Sequence, residues 1–189
     1  MKIIIRIIIV LFVILIEGCC MGSKRDVYYE FNSDEMSWQI YKLNDTLLFE
    51  NQIGTQKKYI VLSIKKDTLP EMDKFGSGCD IKHRSMITTS FARIHDSLTP
   101  PVLAGEITFE KSSSGFYIQM HWESVYGYSL QDNSKDTLTI DGFKYTDLHT
   151  AKVDTTQYKL DIWRWFYSKS KGITRFDASI GDVWTRKFN

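Results

Sequence analysis

Residues 58–66 read Lys58-Tyr59-Ile60-Val61-Leu62-Ser63-Ile64-Lys65-Lys66. β-Branched and aromatic residues crowd this run, and lysines close both ends. That composition predicts a strand, with Ile60, Leu62 and Ile64 sharing one face. The same period of two recurs outward in both directions. Upstream, Trp38 and Ile40 alternate with polar neighbours in SWQIYK, and Leu47-Leu48-Phe49 opens a further strand. Asn51 to Lys58 is a polar turn around Gly54. Downstream, residues 67–80 read as a loop broken by Pro70 and Gly76-Ser77-Gly78. Residues 84–94 form a Thr/Ser-rich strand, which Pro100-Pro101 ends.

The second half repeats the theme. Residues 106–110 and 116–123 flank a Ser-Ser-Ser-Gly turn, which predicts a hairpin. Phe116, Ile118, Met120 and Trp122 fall on one face of the return strand; Tyr117, Gln119, His121 and Glu123 fall on the other. Asp141-Gly142 between two alternating runs in TLTIDGFKY is a second hairpin signal. A short helix is expected around residues 146–152. Strands are expected at 160–167, 173–176 and 183–188. The fold class is therefore all-β, an antiparallel sandwich or barrel of about ten short strands.

The start of the chain is different. Lys2 and Arg6 precede an unbroken apolar run from Ile7 to Ile16. Ten helical residues rise about 15 Å, half a bilayer core, which suits a signal peptide rather than a membrane span. Ile16-Glu17-Gly18-Cys19 follows. It resembles the lipobox of bacterial lipoproteins, departing from it at Glu17. The resemblance implies cleavage after residue 18, a diacylglyceryl group on Cys19 and a membrane held by its acyl chains. The expected organisation is a signal peptide at 1–18, a lipidated tether at 19–34 and one β-rich domain at 35–189. Val27, Tyr28, Tyr29 and Phe31 offer an edge strand within the tether.

Removal of residues 1–18 takes two of the 24 basic and one of the 23 acidic residues, leaving the two signs balanced. No Lys/Arg cluster overrides that balance, so a nucleic-acid partner is not expected. With 43% hydrophobic and 14% aromatic residues there is enough material for a core. Beyond Cys19 only Cys20 and Cys79 remain, either as a pair or as a tether residue and a lone thiol.

Two further segments carry a resemblance. SWQIYKLNDTLLFENQIGTQKKYIVLSI (37–64) resembles the N-terminal region of small Bacteroidota envelope lipoproteins. Gly142 and Tyr145, then Tyr167, Ser168, Lys169 and Gly172, then Phe176, Gly181 and Trp184 match the close of the same proteins. The likeness implies an envelope location, with the outer membrane favoured, and a β fold. It implies no catalytic residue.

Chemistry-bearing patterns are sparse. His83, His95, His121 and His149 stand in no metal motif, and no metal or other cofactor is expected. No Ser sits in a nucleophile elbow, and Gly76-Ser77-Gly78 lacks what a phosphate loop needs. His121 and Glu123 project from one strand face as a candidate acid/base pair, or as an ordinary solvated face. Asp80 and His83 flank the loop at Cys79. Trp163, Trp165 and Tyr167 share a strand face, which is either a stacking platform for carbohydrate or partner protein, or a row of the core. The Asp–Ser/Thr–apolar-or-Thr tripeptide recurs at Thr46, Thr68, Ser97, Thr137 and Thr155. It resembles the O-glycosylation acceptor of secreted Bacteroidota proteins, and equally marks turn-to-strand junctions. Three functions fit: a non-enzymatic binding or scaffolding module of the envelope, an envelope hydrolase built on His121 and Glu123, and an immunity or inhibitor lipoprotein.

Overall fold

A computed structural model describes residues 25–71, 80–95, 100–122, 125–129, 138–140, 142–152, 162–178 and 181–188. They form β1 (Asp26–Tyr29), α1 (Ser33–Met36), β2 (Thr46–Glu50), β3 (Gln56–Pro70), β4 (Ile81–Ile94), β5 (Val102–Ser112) and β6 (Gly115–Trp122). β7 (Val125–Ser129), β8 (Leu138–Ile140), β9 (Phe143–Tyr145) and β10 (Leu148–Lys152) follow, then β11 (Ile162–Ser168), β12 (Gly172–Ala178) and β13 (Val183–Lys187). The fold is all-β. The main sheet runs β10-β11-β12-β13-β2-β3-β4-β5-β6-β7, and curls until its end strands β7 and β10 approach each other. β8 and β9 form a separate hairpin, and Gly142 supplies the positive φ (81°) of its Asp-Gly turn.

The concave face carries the core. Leu47 and Phe49 of β2, Tyr59 and Val61 of β3, Ile107 and Phe109 of β5 and Trp165 and Tyr167 of β11 are buried there. Ile118, Met120 and Trp122 are buried on the face expected of them, with Phe116 packed alongside. Irregularities in register between Val61 and Ser63, Phe91 and Ala92, and Phe166 and Tyr167 help the sheet to curve. Gly105 lets the sheet close over an indole, because a Cβ there would stand 2.5 Å from Trp122 Cε3.

Several expectations are corrected. On β3 the inward residues are Tyr59, Val61 and Ile64, while Leu62 is exposed, because the irregularity at Leu62 switches the faces mid-strand. Residues 67–70 are strand, not loop: the β3 ladder with β4 continues to Pro70 opposite His83. Residues 148–152 are strand β10, paired with β11, not helix. SWQIYK is not a strand. Residues 30–45 instead cross one end of the curled sheet, and Phe31, Met36, Trp38, Ile40 and Tyr41 pack into the core.

The folded domain also begins before residue 35, because β1 pairs in parallel with β4 from Asp26 opposite Ile81. α1 is short but well capped: Asn32 Oδ1 accepts from Glu35 N at 2.8 Å, and Glu35 Oε2 accepts from Asn32 N at 3.0 Å. Among the described residues no helix is long and apolar enough to cross a membrane.

Candidate functional site

The concave face is filled. Trp122, Trp165, Tyr59, Tyr167, Phe49, Phe91, Phe109 and Phe176 are each less than 2% exposed, and rings within this set meet: Tyr59 with Phe49 and Trp122, Phe91 with Trp122, Phe49 with Phe176 and Phe109 with Tyr167. Side chains occupy the place where a ligand-carrying barrel keeps its cavity. Among the described residues, a cleft opens instead at one end of the sheet.

The end crossed by residues 30–45 is the most elaborated. α1 spans it: Glu35 Oε1 accepts from Lys111 Nζ at 2.6 Å, and Asp34 Oδ1 from Lys169 Nζ at 2.5 Å. Lys111 lies near the end of β5, and Lys169 lies in the β11–β12 turn. Trp38 makes ring contacts with Phe116, His149 and Tyr167 beneath. Tyr167 Oη donates to the Trp38 carbonyl at 2.6 Å, and Ile173 N donates to Tyr41 Oη at 2.7 Å.

Beside this plug lies a cleft of about 400 Å³, within the usual range for small-ligand sites. Phe143, Lys144, Tyr145, Thr146 and Asp147 line one side; Ser170, Lys171 and Phe188 line the other. The β8–β9 hairpin is held in place by Ile140 and Tyr145, which bury against Leu148 and Phe166 on the outer face of β11. Its tip leaves Phe143 69% exposed, and across the cleft Phe188 is 41% exposed. Lys171 Nζ and Arg186 Cζ lie 5.6 and 4.8 Å from the Phe188 ring centre. Arg186 also donates to the Lys171 carbonyl.

Asp147 is fixed. Its Oδ2 accepts from Ser168 Oγ (2.8 Å), Ser170 Oγ (2.9 Å) and Ser170 N (3.0 Å). Partial burial works against its charge, but these hydrogen bonds outweigh it and hold the carboxyl below its ordinary range. Ser170 thus gives its proton to a weakly basic carboxylate, which is no route to a nucleophile. The cleft offers two exposed rings, the ammonium groups of Lys144 and Lys171 and a locked acceptor. That set can bind a ligand.

The residues singled out in the sequence fall elsewhere. His121 is half-buried on β6, opposite Glu106, with Ser90 next across the sheet. Ser90 Oγ donates to Glu106 Oε1 at 2.8 Å. The carboxylate sits between Ser and His, so this order cannot activate the Ser through the imidazole. Glu123 lies outside the described residues, as do Cys19, Cys20, Cys79, Ser97, Thr137 and Thr155. Trp165 and Tyr167 are buried to 0% exposure in the core and Trp163 is half-buried outside it, so the three do not form a stacking platform. Thr46 and Thr68 are exposed, Thr68 on strand β3 rather than in a loop. His83 Nε2 lies 2.8 Å from Asp26 Oδ1 and its ring stacks on Tyr28, pinning β1 to β4. Among the described residues, no three His, Cys, Asp or Glu side chains gather to hold a metal ion.

Sequence reasoning missed the cleft, since its walls come from three separate stretches. The only local signal was the Asp-Gly turn that projects Phe143. Comparison with known proteins returns no match: no family model, no curated protein and no solved structure.

Proposed function

We propose that this chain is a lipid-anchored, non-enzymatic module of the bacterial cell envelope that binds through the cleft at its plugged end. The lipobox-like Ile16-Glu17-Gly18-Cys19 supports the anchor. The observation that carries the binding reading is the cleft itself: Phe143 and Phe188 stand exposed beside Lys144 and Lys171, on a scaffold whose concave face is filled. A concave site with a few rings beside charged groups is the usual form of a ligand-binding cleft. The same cleft lacks an activated nucleophile or base, which favours binding over hydrolysis.

The test is retention of the purified mature chain on sedimented envelope material. Phe143→Ala combined with Lys171→Ala should weaken retention, and Ile53→Ala, in the distant β2–β3 turn, should not. Equal retention of all three proteins would remove the cleft from the function.

A further inference from the structure

We infer that the plugged end is the membrane-facing surface of the domain, and that the cleft takes anionic headgroups of the bilayer that holds Cys19. This rests on the lipid-anchor reading above and names the ligand of the same cleft.

The first argument is placement. β1 begins at Asp26 opposite Ile81, the first residue of β4. Glu71, just past β3, accepts from Ser113 N and Ser113 Oγ in the β5–β6 turn, both at 2.7 Å. That turn and the β11–β12 turn are joined by α1 through Lys111 and Lys169. The entry of the chain, the plug and the cleft residues Ser170 and Lys171 therefore share one end. From Cys19 to Arg25 there are six Cα steps, about 20 Å when fully extended. An acylated Cys19 thus keeps this end, and not the β2–β3 turn at the other, close to the bilayer.

The second argument is chemistry. Among the described residues, Lys144 and Lys171 line the cleft and Arg186 lies over its Phe188 ring, against one lining carboxylate, Asp147, whose Oδ2 is already occupied by Ser168 and Ser170. The local excess is positive and suits an anionic lipid surface. Phe143 and Phe188 project between these cations, and aromatic rings beside lysines are the side chains that settle at headgroup depth. A soluble sugar or peptide would meet the same groups but would need no shared end with the anchor.

The acylated full chain, reconstituted into vesicles, tests this. Cys20→Ser and Cys79→Ser clear the background, and a nitrobenzoxadiazole label is placed through Thr146→Cys in the cleft or Ile53→Cys at the far end. Vesicles are phosphatidylethanolamine with or without phosphatidylglycerol. With phosphatidylglycerol present, the label at 146 should emit to the blue and be reduced by dithionite several-fold more slowly than the label at 53. Lys144→Glu with Lys171→Glu should abolish that difference, which keeps the result from resting on one variant. Equal reduction rates at 146 and 53, or protection at 146 that survives both charge reversals, would overturn the headgroup assignment while leaving cleft-dependent envelope retention standing. A chain that takes no acyl group and does not float with the vesicles would overturn both readings.

Discussion

Gly172→Ala is the sharpest probe of how the plug is seated. Gly172 has φ +73°, a left-handed conformation that costs an L-residue about 1–2 kcal/mol. A Cβ there would overlap the Tyr41 hydroxyl, stand 2.5 Å from Tyr41 Cζ and press on Ile40 Cδ1 at 3.1 Å. Tyr41 is 3% exposed and packs edge-on against Phe91, so its ring has little room to retreat. Overpacking of this kind costs about 1–3 kcal/mol. Moving the hydroxyl also strands the buried Ile173 N–H, at about 1–3 kcal/mol. The whole loss is therefore about 3–8 kcal/mol, a large part of the ~5–15 kcal/mol that holds a domain together. Gly54→Ala is the control: φ is +81° with no atom within 4 Å of the added Cβ, so only the backbone cost applies. Urea unfolding followed by tryptophan fluorescence measures both, with an unchanged m-value as the sign that one transition is being compared. If the two variants differ by less than about 1 kcal/mol, Tyr41 does not seat against Gly172 and the plug is described wrongly.

Alkaline pH should loosen the same end. Burial raises Tyr41 to about 12 and Tyr167 well above its ordinary range, so the stability they contribute is intact below pH 10 and falls as pH climbs above it, Tyr41's being lost through about pH 12; a pH series of melting midpoints checks this. Asp147→Asn should cost about 1 kcal/mol near neutrality, given its partial exposure. Its deficit against wild type should shrink as pH falls through the lowered carboxyl range, which thermal melts across acid pH would read. Metabolic labelling with an alkyne fatty acid should mark the wild type and not Cys19→Ser. Intact mass of host-derived protein should exceed that of the acylated polypeptide, and Thr68→Ala should remove part of the excess if that exposed hydroxyl carries a glycan.

Where a residue's environment was set by its own strand, the sequence was readable. The alternation of Phe116, Ile118, Met120 and Trp122 gave the buried face of β6 because that face keeps one phase until Trp122. The Asp141-Gly142 turn announced the β8–β9 hairpin because only a positive φ closes it. Where the register slips, the reading failed. The assignment of Ile60, Leu62 and Ile64 to one face presumed an uninterrupted pleat, and the irregularity at Leu62 breaks it. The row of Trp165 and Tyr167 could be read as a platform or as core because Phe166 makes the alternate face apolar too; Ile162, past a register irregularity, joins the same core as Trp165 and Tyr167. β11 is covered on both sides, by the core and by the β8–β9 hairpin. The candidate site was illegible for a different reason. Phe143, Asp147, Lys171 and Phe188 meet only after the sheet has curled.

Residues 30–45 explain why one end of this sheet can carry a site at all. A segment that meets a strand only at its end, where Asn44 N donates to the Val61 carbonyl and Val61 N to the Asp45 carbonyl, must still satisfy its other buried backbone groups. Here side chains do much of that: Tyr167 serves the Trp38 carbonyl, Gln39 Nε2 reaches the Tyr41 carbonyl and Thr89 Oγ1, and Asp45 Oδ2 accepts from Lys42 N. Each bond ties the segment to the sheet or to its own turn, and the Asp34–Lys169 and Glu35–Lys111 pairs add ties at the rim. The turn that Lys169 belongs to also supplies Ser170 and Lys171 to the cleft. α1 thus reaches, through Asp34 and Lys169, the turn that forms one wall of the cleft. On the lipid-anchor reading, the anchored end and the binding end are the same end, and the opposite end, with Ile53 83% exposed, is the one left facing solvent.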